Sequence, residues 1–197
     1  MYSLGNEVCD NFDKCSDSNV GASSSKLVEY LTGGKLFLSD KECEGASDLV
    51  DVGITSSLQV SLIQGSITAT DQLSTKSSSD GIAGAAHALM YAVAPLVDAS
   101  NPRSATTIEN NMKLNGGAAD VDLVIDAFSD AIAGMSADCT EVGVFQAAAR
   151  GVCPPDAVAP DTPLTLANGL YTTSTYVQDR ALLALDLRDM EKALNDG

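Results

Sequence analysis

The residues able to do covalent or metal chemistry in this chain are five cysteines, Cys9, Cys15, Cys43, Cys139 and Cys153, and one histidine, His87. No two of the cysteines form a C-x-x-C pair, and with one histidine a zinc site of normal ligand count is hard to assemble. Five thiols do permit two disulfides with one thiol left over. The sequence does not choose the pairing, but Cys9 and Cys15 are near enough for a local bridge, whose closure would contribute on the order of 2–3 kcal/mol. Each cysteine is therefore a candidate for a disulfide or for covalent attachment, as of a thioether-linked chromophore. Clustering near the N-terminus and beside Pro154-Pro155 favours disulfides, and with them an extracellular or other disulfide-permissive compartment.

A nucleophile needs a base within reach, and His87 is the sole histidine. It lies in the uncharged run Gly81–Val97, GIAGAAHALMYAVAPLV, on the side of Tyr91. The reading preferred is a helix-contact histidine hydrogen-bonded to a carbonyl or carboxylate; a ligand-binding role for His87 and Tyr91 is the sharper alternative. The sequence contains no G-x-S-x-G elbow, phosphate-binding glycine loop or dinucleotide fingerprint. The acidic stretch DNFDKCSDSN invites a calcium loop. With Asp13 as first ligand, however, the required glycine is Ser18 and the closing glutamate is Ser24; a start at Asp17 ends on Val28. No metal site and no catalytic residue is assigned, and the chain is expected not to be an enzyme.

Partners are constrained by charge. The formal net charge is −16, with 11 basic residues and no basic cluster, so phosphate backbones and anionic lipid are repelled. Nucleic-acid binding is not expected. Residues 1–25 lack the basic and apolar regions of a signal peptide. The Gly81–Val97 run falls short of the roughly 20 residues a spanning helix needs, so no membrane span is expected.

These residues must be positioned by helices. Aromatics are only 5% of the chain and tryptophan is absent, so the core must be built from Ala, Leu, Val and Ile. Gly81–Val97, apolar all round, is read as the buried central helix, with the small residues Gly81, Gly84, Ala85, Ala88 and Ala92 admitting a close neighbour. Pro95 should kink or end it. SKLVEYLT reads as a short helix closed by Gly33-Gly34, and Ser39-Asp40 with Glu42 and Glu44 as another helix start. Residues 46–73 fit a helix better than a strand, with Gly53 and Gly65 as weak points. SATTIENNMKLNGG reads as a helix closed by Gly116-Gly117. Asp120 opens an amphipathic helix carrying Val121, Val124, Ile125, Phe128, Ile132 and Met135 on one side, and EVGVFQAAARGV is read as a further helix.

The expected fold is therefore all-α. It is a single bundle around the Ala/Gly-rich helix, divided into a polar irregular lead-in (1–25), a helical core (26–153), a Pro-rich crossover (154–163) and a C-terminal helical segment packing on the core (164–197). Tyr176, Leu183, Leu187, Met190 and Leu194 form the seam of that last segment. The function that fits is a non-catalytic acidic structural or assembly subunit acting through protein partners or self-association. No cofactor is predicted. The alternative is a carrier of a small molecule or covalent chromophore, using a bundle cavity and a free cysteine.

Overall fold

The computed structural model describes residues 2–15, 21–75, 80–114 and 119–154. The chain divides into two units, Met1–Asp161 and Thr162–Gly197, and every described residue belongs to the first. The Gly116-Gly117 cap, the crossover beyond residue 154 and the C-terminal seam helix lie outside the described residues.

The fold is an all-α helical bundle with one two-residue β-hairpin. Helix α1 spans Tyr2–Val8 and runs into a 3-10 turn, Cys9–Phe12. Helix α2 covers Ala22–Ser39 and α3 covers Cys43–Asp48. A π-helical segment, Leu49–Ile54, leads without a break into α4, Thr55–Thr75. Then come α5 (Asp80–Ser100), α6 (Pro102–Met112) and α7 (Val121–Ala131). The four-residue α8 (Cys139–Val142) precedes strands β1 (Val144–Phe145) and β2 (Arg150–Gly151).

Helix α4 is the buried centre. Every residue from Ile63 to Thr70 is buried, and the helix packs against α1, α2, α5, α7 and α8. Its core residues Val60, Ile63 and Ile67 join Val93 and Val97 of α5, Ile108 and Met112 of α6, and Val124, Ile125 and Phe128 of α7. The central place expected for Gly81–Val97 thus belongs to a helix rich in Ser, Thr and Gln. Helix α5 buries Ala86, Met90, Val93, Ala94 and Val97, while Gly81, Gly84, Ala85, Ala88, Tyr91, Ala92 and Pro95 are exposed. One side of an all-apolar helix suffices to fill the space beside α4 and α6. Pro95 neither ends nor breaks α5. Its ring nitrogen cannot donate to the Tyr91 carbonyl, but both residues lie on the exposed side of the helix.

Within the expected irregular lead-in (1–25), Tyr2–Val8 and Cys9–Phe12 are helical. Val8, Cys9 and Phe12 are buried, and α1 packs on α4. Glycines make this approach feasible: a Cβ on Gly65 would lie 2.9 Å from Leu4 Cδ2, and one on Gly5 would lie 2.9 Å from Ser61 Oγ. Helix α2 likewise runs through Gly33-Gly34 instead of stopping there, because α2, α3 and the π segment pack on one another. Residues 46–73 are helical as expected, with Gly53 inside the π segment.

Caps set the later helices. The Asn101 side chain accepts from Arg103 N and Ser104 N, with Pro102 at the first helical position, and Asp120 accepts from Asp122 N and Leu123 N. Residues 141–152 do not form the expected helix. Gly143 adopts φ +83°, and the chain then pairs Val144 with Gly151 and Phe145 with Arg150. A helix over 141–152 would hold its ends about 17 Å apart, whereas the flanking Cys139 and Cys153 have Cα atoms 5.1 Å apart.

Candidate functional site

The structure pairs four of the five cysteines. Cys9 is bridged to Cys15, and Cys139 to Cys153, with Cα–Cα distances of 5.0 and 5.1 Å. Two disulfides are compatible with an oxidising compartment. Cys43 remains a free thiol, exposed at the first position of α3. Cys9, Asp10 and Cys15 lie close enough to share an ion, but bridged sulfurs offer no thiolate, so the group lacks the donors a soft metal selects.

His87 and Tyr91 meet on α5, one turn apart, with ring centroids 4.7 Å apart and planes at 73°. Tyr91 is 68% exposed, so this pair forms part of the helix surface. His87 does not make the expected hydrogen bond to a carbonyl or carboxylate: its Nδ1 is buried with no partner among the described residues. His87 and Tyr91 lie on a different element from Cys43.

Two surface features stand out where the sequence offered no motif. The first is an arm made of the C-terminal half of α2, α3 and the π segment. Its two limbs are held by aromatic rings seated over glycines. The Tyr30 ring occupies the space a Cβ on Gly53 would need, at 2.6 Å, and Phe37 does the same for Gly45, at 2.9 Å. The turn joining the limbs is sharp, with Lys41 at φ 62° and Glu42 N donating to the Phe37 carbonyl at 2.8 Å. Residues 38–44 are all exposed. Leu31, Leu36 and Leu38 on α2, and Val50 and Val52 on the π segment, are exposed at 43–63%.

The arm is tied to the bundle at its base. Lys26 of α2 donates to Glu141 of α8, and Ser56 Oγ accepts from Asp138 N at 3.3 Å. Burial alone would lower the Lys26 pKa; the hydrogen bond and charge of Glu141 outweigh it and hold the ammonium above its ordinary value. Tyr30 is also raised, first by burial and then by Glu141 and other nearby carboxylates, against the opposing Lys26 charge.

The second feature is a groove of about 360 Å3 between the two disulfide-closed loops. Phe12, Asp13 and Lys14 line one side, and Cys139, Thr140, Gly143, Val144, Gln146, Gly151 and Cys153 the other. Its base is firm, because Phe12 is 1% exposed and packs against Phe145 with ring centroids 5.2 Å apart and planes tilted by 45°. Gln146 N donates to the Asn11 carbonyl at 2.8 Å, stitching the hairpin to the 3-10 turn. At Gly143 a side chain would strike both Lys14 and the Phe12 carbonyl, at 2.7 Å. On the hairpin's other flank Arg150 donates to Asp122 and Asp126, one turn apart on α7; these bonds, Asp126 first, raise the guanidinium pKa further. The sequence could not point to the groove, because its lining comes from segments more than 120 residues apart.

Comparison with protein-family models, with curated proteins and with solved structures finds no match for this chain.

Proposed function

We propose that this chain is a non-catalytic, acidic helical subunit that works by protein–protein association, principally with copies of itself, in an oxidising compartment outside the membrane. The observation that carries the reading is the arm. Leu36 and Leu38 are 61% and 63% exposed, and Val50 and Val52 are 50% and 56% exposed. Scattered single apolar residues need no explanation, but several on one projecting element favour a buried state in an assembly. The bundle gives these residues a rigid support, since α2 and α4 are continuous with the core and Lys26 of α2 is ion-paired to Glu141 of α8, the helix that carries the bridged Cys139.

Helix α5 is long and apolar enough by length and composition to cross a bilayer, so the shortness of the Gly81–Val97 run carries no weight. Against a span stand the burial of Val93 and Val97 in the core and the carboxylate of Asp98 in the last turn. The test is size-exclusion chromatography with light scattering at tens of micromolar protein, with and without reductant. Stable oligomers in wild type, weakened in Leu38→Asp and Val52→Asp, are expected. Wild type that stays monomeric across salt and concentration would overturn the reading.

A further inference from the structure

We propose that the tip of the arm of one copy docks in the groove between the disulfide loops of the next, making a head-to-tail contact. This rests on the reading of the chain as a self-associating subunit and names the two surfaces that meet. Four charges support it. The groove carries Asp13 and Lys14 side by side, and the tip carries Lys41 and Glu42 side by side, both exposed. Among the described residues none of the four side chains has an ion-pair partner, although Lys26 and Arg150 both find carboxylates within the fold. Set against each other, the two dipeptides match sign for sign, Lys41 to Asp13 and Glu42 to Lys14.

Shape and polarity agree with the charge pattern. The tip is a tight turn, with Lys41 in the left-handed region, so it presents few residues on a narrow front. The groove is lined by Gly143 and Gly151, which carry no side chains, and holds about 360 Å3. Leu38, 63% exposed just before the turn, finds an apolar wall in Val144, itself 47% exposed. Both surfaces are preorganised, the tip by Phe37 over Gly45 and the groove by two disulfides, so little ordering opposes contact. Because tip and groove are different patches of one chain, the contact is heterologous. It closes into a ring or runs on as a filament.

The test is reciprocal charge reversal in the full chain. One variant carries Asp13→Lys and Lys14→Glu; the other carries Lys41→Glu and Glu42→Lys. Each alone brings like charges together and is expected to weaken self-association by about tenfold or more, equivalent to roughly 1.4 kcal/mol. An equimolar mixture, in which every tip meets a complementary groove, is expected to recover wild-type association, read by sedimentation velocity. Asp13, Lys41 and Glu42 are exposed and Lys14 is half-buried against Gly143, so unchanged melting curves are required of each variant to show that it folds. Wild-type association in either variant, or loss that mixing does not restore, overturns the docking while leaving self-association standing. A wild type that never associates overturns the self-association reading itself.

Discussion

Lys26 of α2 and Glu141 of α8 are 115 residues apart in sequence and ion-paired in the fold, at the point where the arm leaves the bundle. Glu141 is the more enclosed partner, its side chain 12% exposed against 44% for Lys26. The pair joins the two parts on which association is proposed, since α2 carries the arm and α8 begins the disulfide loop bordering the groove.

That pair gives the protein an alkaline limit. Lys26 has its pKa raised above 10.5, so its contribution is fully present below the unfolded value and is lost as pH climbs through the folded one. Tyr30, raised above 10.0, keeps its neutral form in the fold and loses its contribution over the same rise. Stability is expected to be level from neutral pH to about pH 10 and to decline above it. In Glu141→Gln the hydrogen bond and charge that raise Lys26 are lost, while Tyr30, raised first by burial, loses only a lesser contribution. Chemical denaturation at a series of pH values should therefore show lower stability at neutral pH and a shallower alkaline decline. An alkaline profile identical to wild type would show that the pair is not coupled to folding.

The two disulfides should differ in weight. Cys9–Cys15 closes a loop of separation 6 and Cys139–Cys153 one of separation 14. On chain entropy alone the shorter contributes about 2.4 kcal/mol and the longer about 3 kcal/mol. The longer one also joins the two ends of the segment that holds the hairpin, so its loss is expected to loosen Phe145 and Val152, both in the core. The double variant Cys139→Ser/Cys153→Ser is expected to melt below Cys9→Ser/Cys15→Ser, measured by calorimetry. The opposite order would mean that the N-terminal loop, and not the hairpin, anchors this end of the bundle.

What the sequence revealed and concealed follows from the range of the forces involved. Helix α7 was readable because Asp120 caps it locally, and its aspartates fall opposite Val124, Ile125 and Phe128. The Cys9–Cys15 bridge was readable as an option for the same reason of proximity. Helices α4 and α5 were misordered because hydropathy records which residues tolerate burial, not which helix has neighbours on all sides. Ser61 is buried because it meets Ser23 across α2 at 3.1 Å, and Gln64 because its Nε2 donates to the Val142 carbonyl at 2.9 Å. Neither partner is visible along the chain. The hairpin was concealed by Ala147-Ala148-Ala149, whose helix propensity is overruled by a disulfide and by Gly143.

The polar interior of α4 supports a last prediction, on which intuition and accounting disagree. Ser66 is fully buried, and its Oγ has no hydrogen-bond partner among the described residues; Ser57 Oγ is in the same state at 1% exposure. A hydroxyl taken out of water without a partner costs roughly 1–3 kcal/mol by mutational data. Reducing the hydroxymethyl group to a methyl removes that cost, and alanine also has the higher helix propensity. Neither change touches the backbone carbonyls that serve Thr70 and Ser61. Ser66→Ala is therefore expected to stabilise by about 1 kcal/mol, and Ser57→Ala by a similar amount. Ser61→Ala, which breaks the bond to Ser23, should destabilise by about as much. Urea denaturation of the three variants checks the signs. A destabilised Ser66→Ala would show that its hydroxyl is bonded in solution, and that the polar core of α4 is a satisfied network.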